Sequence, residues 1–291
     1  MTNISENTRI IAGTMTWGSW GKRLSKSAMI DLMQYCFSIG ITTFDHADIY
    51  GGYSTEEEFG AAFKESGISR DSICLISKCG IQMPSYNRTT KLKHYNYSEH
   101  HIITSVEQSL ENLKTDYLDF LLLHRPSPLM DPKEIGSAIK KLKKSGKIKS
   151  VGVSNFTRSQ IKMFNAYMPL EANQIEFSLT QHSAMYNGIL DDCIENSRLA
   201  MAWSPLGIYF KEDNKTTKRI KSVLNILAKK YQVSENQLLL AWLLRHPAHI
   251  KPVVGTTSKE RLQESLEAIK IELDLEDWFL LLEASRGHEV E

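Results

Sequence analysis

Eight short apolar runs alternate with helical stretches along this chain, about one strand and one helix per 30–40 residues, and that rhythm leaves few folds open. The runs are Ile10–Met15, a stretch ending at Asp45, Ile73–Lys78, Tyr117–Leu123, Ile148–Val153, Ala172–Glu176, Leu199–Trp203 and Ile250–Val254. Tyr117–Leu123 is almost continuously apolar, as a strand buried on both faces must be. Between the runs, stretches such as Ser25–Ser38 carry Ala28, Ile30, Leu32, Met33, Cys36 and Phe37 at helical spacing before a terminating Gly40. Strand–helix alternation predicts a parallel sheet, and eight units predict a closed (β/α)8 TIM barrel. The 291 residues fit one such domain, with no linker dividing them. Asp274–Ala284 reads as one extra amphipathic helix, and Arg286–Glu291 as a frayed tail.

Residues 81–97 break the rhythm: they are polar, rich in Tyr and Asn, and without sustained period. They are expected to form a long loop on the same face as Lys78. A formal net charge of +1 gives no global case for nucleic acid or an anionic membrane, so any anion site must be local. No apolar run approaches the ~20 residues of a transmembrane helix. The start, Met1–Asn7, lacks the basic and apolar regions of a signal peptide. Cys36, Cys74, Cys79 and Cys193 have no paired metal spacing, which suggests reduced thiols in a cytoplasmic protein. His94, His100 and His101 lack matching carboxylates or cysteines, so no metal is expected. The lysines of 140–144 read as a solvated helix face.

In a parallel barrel the C-terminal strand ends share one mouth. Asp45 and Tyr50 follow the second run, Lys78 ends the third and His124 follows the fourth. Further round come Ser154 and Asn155, then Gln174, then Trp203, then the stretch from Thr256 to Arg261. Taken singly, each has an ordinary explanation: an aspartate capping a turn, a packed tyrosine, a core histidine, a helix cap beside a surface arginine. Four titratable groups from three adjacent strands make a shared pocket the better account. Ser54 followed by Glu56, Glu57 and Glu58 reads as a hydroxyl-capped helix start with acids in its first turn.

The segments FDHADIYGG, ISKCG, LLLHRP, GVSNF, NQIEFS, AWSPLG and GTTSKERL, in this order across nearly the whole chain, resemble the aldo-keto reductase superfamily. FDHADIYGGY is similar to a bacterial oxidoreductase subgroup within it. The resemblance implies a barrel that reduces aldehydes and ketones with NADP(H), or alternatively NAD(H). It implies Tyr50 as proton donor, Lys78 and Asp45 lowering the phenol pKa, and His124 polarising the carbonyl. Ser154, Asn155 and Gln174 would hold the nicotinamide carboxamide, and Trp203 would stack on the ring where relatives more often have Tyr. Ser204, Pro205, Leu206 and Gly207 would line the pyrophosphate, with Gly255, Thr256, Thr257 and Arg261 at the adenosine 2′-phosphate. Gly255 replaces a lysine common in NADPH-preferring relatives, and the 81–97 stretch is longer than usual. That stretch would shape the substrate pocket with Trp17, Trp20 and Tyr53. The implied partner is a small carbonyl compound, not nucleic acid or membrane. Two other functions fit part of the pattern: a nucleotide-binding redox sensor of the same fold, and a lyase forming a Schiff base at Lys78.

Overall fold

The computed structural model describes residues 9–86 and 88–290. The expectations for Met1–Asn7 and for the last residue of the tail lie outside the described residues. Eight parallel strands close a barrel in the order β1-β10-β9-β8-β7-β6-β3-β2. They are β1 (Ile11–Gly13), β2 (Thr43–Asp45), β3 (Cys74–Cys79), β6 (Leu118–Leu123), β7 (Ile148–Ser154), β8 (Ala172–Glu176), β9 (Leu199–Trp203) and β10 (Lys251–Val254). The expected TIM barrel is therefore the observed fold.

Side chains alternate across each strand. Ile76 of β3, Phe120 and Leu122 of β6, and Met201 of β9 fill the barrel interior. Leu75, Leu121 and Leu123 point the other way and pack with the helices. Burying each such side chain stabilises the fold by about 1.5–3 kcal/mol. The same parity decides the site. Asp45, Lys78, Ser154, Gln174 and Trp203 share the inward parity of their strands, in the layer above the apolar interior.

The helices begin where polar side chains satisfy the free amides of the first turn. Ser25 caps Lys26–Ser38, Ser98 caps Glu99–Leu113, and Asp131 caps Pro132–Lys144. Thr157 with Gln160 forms a capping box at Arg158–Asn165. Two details differ from expectation. The helical region before β10 is two helices, Lys215–Tyr231 and Glu235–Leu244, split at Gln232, whose φ is +56°. Ser234 and Gln237 supply a fresh capping box for the second. The C-terminal helix runs Leu275–Arg286, two residues beyond the expected end. It is tied down by Trp278 stacking on Trp242 at 4.9 Å and by Arg219 donating to the Ala284 and Ser285 carbonyls.

Residues 81–97 are not wholly a loop. Their ends pair as a small antiparallel ladder, β4 (Ile81–Gln82) with β5 (His94–Tyr95), outside the barrel. Strands of two residues are too short to show a period in sequence, which is why the segment reads as irregular. All four cysteines are free and buried, and burial pushes their thiols up, to about 12 for Cys36 and Cys193.

Candidate active site

β2 ends at Asp45, and the chain turns over it through Gly51 and Gly52 at φ +64° and +69° to Tyr53 at +75°. A β-carbon on Gly51 would meet the Thr55 hydroxyl at 2.4 Å, so this turn needs glycine there. The turn brings Tyr50 back over the strand end. The Lys78 ammonium donates to Asp45 Oδ2 at 2.7 Å, to the His46 carbonyl at 2.7 Å and to the Tyr50 hydroxyl at 3.1 Å. Gln174, from across the barrel, donates to the other Asp45 oxygen at 2.8 Å. Gln174, expected at the cofactor, lines the cavity, and its amide nitrogen also helps fix the acid.

Lys78 is 1% exposed. Burial lowers its pKa, but the charge of Asp45 and the interaction with Tyr50 more than offset this, raising it above the ordinary value. Tyr50 is also raised. Burial dominates, although Lys78 and, more weakly, Arg125 pull the other way. The expected depression of this pKa is thus outweighed by desolvation, and the phenol holds its proton at neutral pH. His124, just after β6, is driven well below its usual value by burial and by Lys78, Arg125 and Lys93. It is a neutral imidazole, its ring 6.2 Å from that of Tyr50 and nearly perpendicular to it.

Asp45, Tyr50 and His124 line one cavity of about 1060 Å³, and Lys78 supports it from behind. Round its rim the backbone takes left-handed turns at Asn155, Ser204 and Gly207, with φ of +61°, +49° and +55°. A β-carbon on Gly207 would lie 1.9 Å from the Thr180 hydroxyl. Trp203 Nε1 donates to Asn155 Oδ1 at 2.9 Å, and Asn155 donates to the Ser154 hydroxyl. Pro205, Leu206 and Gly207 continue the wall. At the far end Gly255, Thr256 and Arg261 line the cavity at the N-terminus of helix Lys259–Glu267. Thr257 does not line it.

Among the expected substrate contacts, Trp20 lines the cavity, its ring 6.2 Å from Tyr50. Trp17 is a correction. It is 1% exposed and packs on Phe44 and Phe59, because the path of the chain carries it beneath β2 rather than to the barrel mouth. Tyr53 is a second correction: its hydroxyl accepts the Met83 amide, and Arg88 lies over its ring, so it braces the 81–97 segment. The Ser54–Glu58 start also differs. Ser54 makes no cap but donates to Gly51 and Glu58, and Glu56 is buried, accepting from Ser77 at 2.5 Å. Arg125, Lys93, Phe210 and Lys211, not among the expected site residues, line the cavity too. Arg125 carried a usable signal, since it directly follows a residue at a strand end.

The cavity suits an elongated, anionic dinucleotide. It exceeds the roughly 300–1,000 Å³ of common ligand sites. Its far end joins a helix N-terminus to a guanidinium with no carboxylate partner among the described residues. No helix among the described residues is long and apolar enough to cross a membrane.

Comparison with known proteins agrees with this geometry. The model of the aldo/keto reductase family matches residues 9–285. An uncharacterized oxidoreductase of Bacillus subtilis is 42% identical over 288 residues, covering 97% of this chain and 95% of that one. A 6-dehydroglucose reductase of Agrobacterium fabrum is 40% identical over 264 residues, covering 89% and 88%. Among solved structures, a thermostable aldo-keto reductase crystallised with the inhibitor epalrestat superposes with a TM-score of 0.79 at 27% identity, covering 94% of each chain.

Proposed function

Because the chain belongs to the aldo/keto reductase family, we propose that it reduces an aldehyde or ketone to the alcohol with NADPH, Tyr50 giving the proton. One set of contacts carries this reading: the Lys78 ammonium held by Asp45 at 2.7 Å and set 3.1 Å from the Tyr50 hydroxyl, beside a dinucleotide-sized cavity. When bound, the reduced nicotinamide supplies the hydride to the carbonyl carbon. As negative charge grows on the carbonyl oxygen, the Tyr50 O–H transfers its proton there. The phenolate left behind is stabilised by Lys78, which Asp45 keeps charged and aimed. Neutral His124 donates its one N–H to the same oxygen, an interaction strengthened as charge develops.

Trp203, oriented by Asn155, offers its face to the nicotinamide. Ser154, the second amide proton of Asn155 and the Gln174 carbonyl oxygen hold the carboxamide. Ser204 to Gly207 follow the pyrophosphate. Gly255 and Thr256 with Arg261 receive the 2′-phosphate, which favours NADPH over NADH. A Schiff base at Lys78 needs a neutral amine, whereas Asp45 and Tyr50 hold this one protonated.

Titration with NADPH and NADH, followed by tryptophan fluorescence, tests the cofactor. NADPH should bind more tightly, and Arg261→Ala should weaken it by on the order of tenfold. A carbonyl panel that includes sugar aldehydes, prompted by the 6-dehydroglucose reductase relative, then tests turnover. Tyr50→Phe should lower kcat by about 10²–10⁴ while leaving NADPH affinity intact. Full activity in Tyr50→Phe would end this mechanism. Tight NADPH binding without turnover across the panel would instead favour the redox-sensing alternative.

A further inference from the structure

Two cations at the mouth of the site, Arg125 and Lys93, have no task in the mechanism above. Arg125 is held in place through its backbone. The buried Tyr97 donates its hydroxyl to the Arg125 carbonyl at 2.6 Å and accepts the Arg125 amide at 3.1 Å. Tyr97 is in turn packed onto Gly80, where an added β-carbon would come within 2.1 Å of its ring. The Arg125 guanidinium carbon lies 5.1 Å from the centroid of the Trp203 ring. Among the described residues, neither Arg125 nor Lys93 has a carboxylate within the 4.0 Å of an ion pair.

The acids of the cavity are engaged or placed elsewhere. Asp45 is taken by Lys78 and Gln174. Glu235 and Glu264 lie on the two helices flanking β10, the second of which carries Arg261. The Lys78–Asp45 pair is neutral as a unit, so the substrate end carries the uncompensated charge of Arg125 and Lys93. Both cations also lie close enough to His124 to depress its proton affinity. An arginine pinned by its backbone, with a planar fork of donors and no carboxylate partner among the described residues, is matched to a carboxylate or phosphate.

Resting on the carbonyl-reductase reading, we infer that Arg125, with Lys93 at the rim, binds an oxyanion on the substrate, so the preferred substrates are aldehydes or ketones bearing a carboxylate or phosphate. The anionic group takes no part in the chemistry. The carbonyl carbon gains a hydride from NADPH, its oxygen gains the Tyr50 proton, and NADP⁺ and the hydroxy acid or hydroxy phosphate leave. Arg125 is therefore a specificity-determining residue, and its contribution falls mainly on KM.

The test compares kcat/KM with NADPH for ω-oxo carboxylates of increasing length and for the amides of the same chains, and for glyceraldehyde 3-phosphate against glyceraldehyde. The anionic member of a pair should be favoured by on the order of 10–100-fold. Which pair shows the larger ratio separates carboxylate from phosphate. The ratio should collapse toward one in Arg125→Met, survive in part in Arg125→Lys, fall less in Lys93→Met, and shrink with added salt. A ratio near one in the unmodified enzyme, with neutral aldehydes turned over, overturns the inference and leaves the reductase reading standing. So does an unchanged ratio in Arg125→Met, or an equal loss on both members accompanied by weaker NADPH binding. No reduction of either class removes the reductase reading and this inference together.

Discussion

Asp45→Asn is the perturbation that asks why a lysine can sit inside this barrel. The side chains of Lys78 and Asp45 are 1% and 3% exposed, with the ammonium 2.7 Å from the carboxylate. The asparagine keeps the shape of the site but removes the charge that offsets the Lys78 cation, and it has one acceptor oxygen where Lys78 and Gln174 now use two. Breaking one side of a buried ion pair costs about 3–5 kcal/mol. Unfolding entropy of about 2.1 cal/mol/K per residue gives ~0.6 kcal/mol/K for a chain of this length, so the melting temperature should fall by about 5–8 °C. Asp45→Leu combined with Lys78→Met removes both charges and leaves only neutral groups without partners, the Gln174 amide and the His46 carbonyl, at about 1–3 kcal/mol each. The double variant should therefore melt no lower than Asp45→Asn, in which the cation stays buried without its counter-charge. Lys78 has a folded pKa above its unfolded one, so its contribution is complete below the unfolded pKa of about 10.4 and is lost as pH rises through the folded value. Calorimetry at pH 7 and 9 at one scan rate reads all three proteins. If Asp45→Asn melted within 2 °C of the unmodified protein, or the double variant melted below Asp45→Asn, the ion pair would not be what holds the lysine in place.

Two further outcomes follow from the site geometry. With Tyr50 raised above 10.0 and His124 held well below 6.5, kcat/KM for reduction should stay flat across neutral pH and fall only in alkali as the phenol ionises. An inflection near pH 6.5 with activity lost on its alkaline side would mean a protonated His124 is the acid. Gly207→Ala places a methyl 1.9 Å from the Thr180 hydroxyl at a φ of +55°. It should cost about 1–3 kcal/mol of stability and weaken NADPH binding, read by melting and fluorescence titration. An unaltered protein would show that this turn is not a rigid part of the cavity wall.

The sequence carried the barrel and the inventory of its mouth. Strands such as Leu118–Leu123 and helices such as Pro132–Lys144, with its Asp131 cap, are written in local patterns of hydropathy and capping. That Asp45, Lys78 and His124 meet follows once the strands are known to be parallel and closed, because their C-terminal ends then share one face. Tertiary structure decided what those local patterns cannot encode. Strands buried on both faces show no polar alternation, so which parity points inward was invisible until the barrel closed. Trp17 and Trp20 share one glycine-rich loop, yet Trp17 packs beneath β2 and Trp20 lines the cavity, a choice made by the path of the chain past Phe44 and Phe59. Glu56 reads as a solvated acid in a first helical turn, but the helix lies against β3 and buries it on Ser77. Gln174 and Asp45 are 129 residues apart, and Tyr97 and Arg125 are 28 apart; only folding makes them partners. Hydropathy and capping act within a few residues, whereas burial and hydrogen bonding at the site join elements that the sequence keeps far apart.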